Sequence, residues 1–215
     1  MTLPDQAAGS RLHQLVRAPV AGRAPVVAPP ERERCDLCGE PVAETHAHLL
    51  DLGPRAVLCA CRACAMLFDH HEAGGRRYRL VPRRCRRLAG LDIDEAAWAA
   101  LDVPVTLTFL VRIADLDRIV AFCPSPLGLT DARVNEAAWS RLRAAHPEIE
   151  DIADDVEALL VHRAQGAREH WLAPIDVCFR LAALVRTRWR GLSGGREVWD
   201  EIARFFATLT EHPQR

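Results

Sequence analysis

Five of the chain's eight cysteines fall between Cys35 and Cys64, in "CDLCGEPVAETHAHLLDLGPRAVLCACRAC". Cys35-Asp-Leu-Cys38-Gly39 and Cys61-Arg-Ala-Cys64-Ala65 are two C-x-x-C turns with 22 residues between them. Each such turn can aim two sulfurs at one ion, and the small residue after the second cysteine, Gly39 or Ala65, leaves room for a tight bend. Two turns brought face to face by a hairpin supply four thiolates in a tetrahedron. The spacing is close to the C-x2-C, about 15–20 residues, C-x2-C pattern of structural zinc sites. Zn²⁺ held by Cys35, Cys38, Cys61 and Cys64 is therefore the leading expectation. With all four positions filled by sulfur, no site remains for an activated water, so a structural role is expected over metal catalysis.

Iron is the alternative, since facing four-cysteine knuckles also describe rubredoxin, whose iron carries one electron. Cys59 lies two residues before Cys61 and is a candidate substitute ligand or a free thiol beside the ion. His46 and His48, at i and i+2, point to one side if this stretch is a strand. They are candidates for replacing a cysteine ligand or donating to a thiolate, with an exposed polar face as the plain alternative. His70-His71 reads as a solvated turn.

The rest of the chain bounds what this module serves. At 215 residues and 23.9 kDa there is room for one generous domain, or for a small module joined to a medium one. The formal net charge of -1 argues against a globally basic or acidic partner-seeking surface. The chain contains no lysine, which excludes Schiff-base and P-loop chemistry. No signal-like apolar core opens the sequence and no run approaches the roughly 20 residues of a membrane span, so no membrane insertion and a cytoplasmic location are expected. In that compartment thiols stay reduced, which argues against a disulfide framework and leaves metal-binding or reactive-thiol readings of the clustered cysteines.

Three regions are expected: a flexible tail over residues 1–33, a zinc ribbon with rubredoxin-like knuckles over 34–82, and an α+β domain over 83–211. In the ribbon, "AETHAHLLDLG" and "RAVLCA" read as strands around Gly53-Pro54, with "RRYRLVP" a third after Gly74-Gly75. Beyond it, "LDIDEAAWAAL" carries a capping-box pattern of Asp92 and Glu95. "VPVTLTFLVRI" and "DRIVAFCP" form a hairpin that 123–128 breaks off. "NEAAWSRLRAAH" is a helix burying Ala138, Trp139 and Leu142, and "DDVEALLVHRA" with "REHWLAPI" makes a second strand pair about Gln165-Gly166. Two helices follow, one with a stripe of Cys178, Leu181, Ala182, Val185 and Trp189, the other with Val198, Ile202, Phe205 and Leu209. The expected architecture is α+β, an antiparallel sheet of two hairpins covered by helices on one face.

Other groups are weaker candidates. The seven arginines of Arg76–Arg87 with Tyr78 suggest nucleic-acid binding, but a single stacking ring and the balanced net charge favour a solvated face or a docking patch. Cys123 and Cys178 are expected in the core. His162 and His170 lack partnering carboxylates in sequence, and Asp176 reads as a helix first-turn carboxylate. No acid–base pair, nucleophile setting or open metal position is visible, which argues against an enzyme.

From Cys35 to Leu209 the chain resembles an uncharacterised family of high-GC bacteria, through "CDLCGEP", "HAHLLDL", "LCACRACAMLF", "FCPSP", "DVEALLVHR", "REHWLAPID" and "RTRWRGLSGGREVWDEIARFF". Members are encoded in nickel–iron hydrogenase gene clusters, beside structural and maturation genes. The resemblance implies an accessory protein whose partner is a hydrogenase subunit or maturation factor. It brings no catalytic residues with it.

Overall fold

The computed structural model describes residues 33–69 and 77–211. Residues 1–32 of the expected tail, His70-His71, Gly74-Gly75 and Arg76 lie outside the described residues. From Glu33 onward the chain forms one compact unit.

Three short strands build the cysteine-bearing lobe: β1 (Ala47–Asp51), β2 (Ala56–Ala60) and β3 (Tyr78–Leu80), ordered β2-β1-β3 and all antiparallel. The β1–β2 turn lies where Gly53-Pro54 puts it. In this register His48 faces Cys59 and Ala47 faces Ala60. A six-residue helix, α1 (Arg62–Leu67), follows β2 directly.

The larger lobe is a six-stranded antiparallel sheet of β4 (Arg86–Arg87), β5 (Leu107–Ile113), β6 (Arg118–Ser125), β7 (Gly128–Arg133), β8 (Glu157–His162) and β9 (Glu169–Pro174), in the order β4-β9-β8-β5-β6-β7. The helices are α2 (Glu95–Ala100), α3 (Glu136–Ala145), α4 (Ile175–Arg188) and α5 (Gly195–Glu211). The α+β class stands as expected, but four details differ. Helices cover both faces of the sheet. Phe109, Val111, Ala158, Leu160, Trp171 and Ala173 pack with the stripes of α4 and α5, whereas Leu110, Leu159, Val161 and Leu172 pack with Trp98, Trp139 and Leu142 of α2 and α3. Successive strand residues point to opposite faces, so β8 is buried at every position and loses the polar alternation that marks a one-sided sheet.

The segment 123–128 does not end the sheet; it turns β6 into β7, with Ser125 opposite Gly128. Pro124 misleads here, because it sits opposite Leu129 within the ladder. The cap of α2 is Asp94, whose carboxylate accepts from Ala97 N at 2.7 Å, in place of Asp92. On α5 the buried aromatic is Phe206, with Phe205 only partly covered. The helix α3 buries Ala138, Trp139 and Leu142 as read, capped by Asn135. Between α4 and α5, Gly194 has φ of +87°, and a Cβ there would meet Val198 Cγ1 at 2.8 Å and the Trp189 ring at 3.1 Å. Only glycine lets the two helices turn this tightly.

Shared core and ion pairs seat the small lobe on the large one. Leu50 and Val81 belong to the core under α4 and α5. Arg55 and Arg79 both pair with Asp155, at 3.2 and 3.0 Å. Asp155 is itself buried and also accepts from Ala114 N. Several arginines of the basic segment are ion-paired within the molecule: Arg77 with Asp51, Arg84 with the fully buried Glu157, and Arg87 with Glu169. Arg77, Arg83, Arg84, Arg86 and Arg87 nevertheless stay exposed, as on a solvated face; the pairing with carboxylates of distant strands is what the sequence does not show.

Candidate metal centre

The first cysteine pair sits on a tight bend. Cys35 N donates to Glu40 O and Gly39 N to Cys35 O, both at 2.8 Å. Gly39 has φ of +78°, a left-handed conformation that explains a glycine directly after Cys38. The second pair is built differently from the bend expected. Cys61 is the N-cap of α1, its sulfur accepting from Cys64 N at 3.5 Å, so the pair lies on the first turn of a helix. The β1–β2 hairpin joins the two pairs. Asp36 ties them further, its carboxylate accepting from Cys59 N at 2.6 Å and its own N–H donating to Cys59 O at 2.9 Å.

All four sulfurs lie within 4.8 Å of one another. Cys38 Sγ and Cys61 Sγ, on opposite arms, are 3.7 Å apart. Four sulfurs at about 2.3 Å from a tetrahedral centre are separated by about 3.8 Å, so the cage has the dimensions of a metal tetrathiolate and can hold one ion. The chemistry of the donors agrees. Burial pushes the Cys35 thiol up, but the backbone N–H groups of Cys61, Leu37 and Cys38 and the Cys38 thiol outweigh it and hold it at about 6. Cys64 is pushed up to about 12, by burial first and then by the thiols of Cys38, Cys35 and Cys61. Sulfurs this close cannot all be anionic unless a cation sits between them, and a cation is what would convert the whole set to thiolate.

The remaining candidates fall elsewhere. Cys59 does not join the four; it forms a second group with His46 and His48, in which one ring nitrogen of each histidine and the Cys59 sulfur lie within 4.8 Å of one another. The two imidazoles meet edge to face with centroids 4.8 Å apart. Asp176 is in the first turn of α4 as read, and it also reaches His48 Nδ1 at 2.8 Å. The grouping of His48 with Cys59 was available from the sequence: reflecting the chain about Gly53-Pro54 places residue 48 opposite 59. The contact with Asp176, 128 positions away, was not.

Cys85, Cys123 and Cys178 are buried singly in the large lobe. Burial raises all three thiols, Cys85 to about 11, which is the state of inert core filling. His162 and His170 are core residues whose pKa burial lowers; His162 stacks on Phe206 at 4.5 Å. Neither stands beside a nucleophile.

Beside the cage runs an open cleft of about 830 Å³, lined by Pro41, Val42, Ala63, Met66 and Val81 among others. At its edge α1 leaves Met66 and Leu67 about two-thirds exposed (66% and 63%). Among the described residues no helix is long and apolar enough to cross a membrane.

No curated protein and no solved structure matches the chain. A family model does match, over residues 34–213, which take in both cysteine pairs, the hairpin between them and the whole larger lobe; the chain belongs to the family that this model describes, the family of unknown function DUF5947.

Proposed function

We propose that the protein is a non-enzymatic, cytoplasmic accessory protein that holds Zn²⁺ in the Cys35–Cys38–Cys61–Cys64 cage and acts by protein–protein contact. The partner class is a hydrogenase subunit or maturation factor, as the resemblance to proteins of nickel–iron hydrogenase gene clusters implies. One observation carries the reading: a cage with all four positions taken by sulfur stands beside an open apolar cleft. A closed cage braces the fold and leaves chemistry to others. Exposed large apolar side chains beside a cleft support a contact surface; Met66 and Leu67, both exposed, would enter a partner's groove.

The test is affinity capture of the tagged full-length chain from a native host, with Met66→Glu/Leu67→Glu as the control. A hydrogenase-related protein should co-purify with the natural sequence and be lost, at unchanged cage metal content, with the double substitution. Capture without such a protein, or capture that ignores the substitution, overturns the reading.

A second reading, iron in the same cage and electron transfer, is favoured by one feature. Cys38 lies exposed at the surface, where a carried electron would have a short way out. The as-isolated protein decides between them: a ferric tetrathiolate is red, and a zinc protein is colourless. Nucleic-acid binding has little left to stand on, since Arg77, Arg79, Arg84 and Arg87 are each paired with a carboxylate.

A further inference from the structure

The group formed by His46, His48 and Cys59 has the features of a built ligand set. His46 Nδ1 lies 2.8 Å from Ala43 O. A carbonyl only accepts, so Nδ1 carries the proton and Nε2 keeps the lone pair. That Nε2 is buried and meets no hydrogen-bond partner, in a side chain only 8% exposed. A buried, unpartnered lone pair costs stability unless something occupies it. His48 is oriented in the same way. Its Nδ1 faces Asp176 Oδ2 at 2.8 Å, which leaves its Nε2 as the free lone pair. A carboxylate on the far nitrogen is what fixes the tautomer and raises the basicity of metal-binding histidines. Asp176 is itself held, Oδ1 accepting from Val177 N at 2.8 Å. Cys59 is placed opposite His48 by the β1–β2 register, where side chains of paired residues share one face.

We propose that His46, His48 and Cys59 form a second metal site, separate from the four-cysteine cage, that binds a borderline divalent ion such as Zn²⁺ through two imidazole nitrogens and one thiolate. One ring nitrogen of each histidine and the Cys59 sulfur already lie within 4.8 Å of one another. A tetrahedral ion would draw them to about 3.3–3.6 Å, a movement that side-chain rotation supplies. Three protein ligands leave the fourth position open, unlike the closed cage. His46, His48 and Asp176 line a cleft of about 540 Å³ that also contains Glu44, Arg83 and Arg180. The open position therefore suits water.

Co²⁺ is the probe, titrated anaerobically into the reduced, metal-free full-length chain. Two ions should bind. One should give the intense sulfur-to-cobalt charge transfer of a tetrathiolate, the other a much weaker one with the ligand-field bands of a mixed nitrogen–sulfur set. Cys59→Ser and His46→Ala should each abolish the second set and leave the first. Asp176→Asn, which keeps the shape and lacks the charge, should weaken the second ion about 10–100-fold and leave the first unchanged. Cys64→Ser should disturb the tetrathiolate bands alone, so failure of the cage and failure of this site are read separately. Saturation of the natural sequence at one ion overturns the proposal, as does a second ion indifferent to Cys59→Ser, His46→Ala and Asp176→Asn. Should Cys59→Ser fail to fold, the Asp176→Asn titration decides by itself.

Discussion

The two lobes solve the problem of staying folded by different means. The larger one has a two-faced sheet with an apolar layer on each side, and fully buried side chains such as Trp171, Phe109 and Leu160 at its centre. The smaller one has little of this. Among the described residues, Leu49, Leu50, Val42, Ala60 and Val81 are its buried apolar residues besides Cys35, and Leu50 and Val81 are shared with its neighbour. Around 50 residues with so thin a core do not hold together by burial alone. An ion in the cage, together with the arginine clamps, would make up the deficit. The comparison teaches that an ion held in the cage would be a folding element for one lobe and a bystander for the other.

The sharpest way to break that contrast is to remove the ion. Chelation under reducing conditions should raise amide hydrogen exchange across 33–69 and 77–82 by orders of magnitude, while β5, β8 and β9 keep their protection. Uniform loss over both lobes, or none in either, contradicts the division. Tetrathiolate zinc supplies on the order of 10–16 kcal/mol of apparent binding free energy near neutral pH, so this is the largest effect expected. Next in size is the converse experiment. Trp171→Ala should cost the larger lobe about 3–5 kcal/mol, read as a lower denaturant midpoint at constant metal content. Trp171→Phe should cost less, since Trp171 Nε1 finds no hydrogen-bond partner.

The smallest effect is on pH. Burial lowers the pKa of His162, against a pull upward from Glu169, and burial together with Arg163 lowers that of His170. The folded state therefore favours both neutral, while the unfolded chain takes up protons near pH 6.5. Their contribution is complete above that pH and is lost as pH falls below it towards the folded-state values. In the chelated protein, where the cage no longer titrates with its ion, stability of the larger lobe should decline as pH is lowered from about 6.5. His162→Gln should flatten that decline, measured by denaturant midpoint across the range.

How much of this was legible beforehand follows the same division. The cage was readable because ligand chemistry is local: two C-x-x-C pairs and a hairpin fix the answer whatever surrounds them. Helix α3 was readable from its stripe of Ala138, Trp139 and Leu142, which lies within a few residues. What escaped depended on distant partners. β7 was hidden by Pro124 and by a polar sequence, "GLTDAR", that pairs along one edge only. The second helical layer was hidden because a sheet buried on both sides shows no alternation. The pairing of Arg79 with Asp155 and of Arg84 with Glu157, each more than 70 positions away, left no trace in the local pattern.

Asp155 carries a final consequence. Its backbone is left-handed, with φ of +64°, and its one carboxylate receives Arg55 from the hairpin turn, Arg79 from β3 and the Ala114 amide beyond β5. Asp155 thus indexes the angle between the lobes at one point, beside the shared core of Leu50 and Val81 and the His48–Asp176 contact. A ligand protein spanning both would meet a surface already set, and would spend little of its binding energy on arresting a hinge.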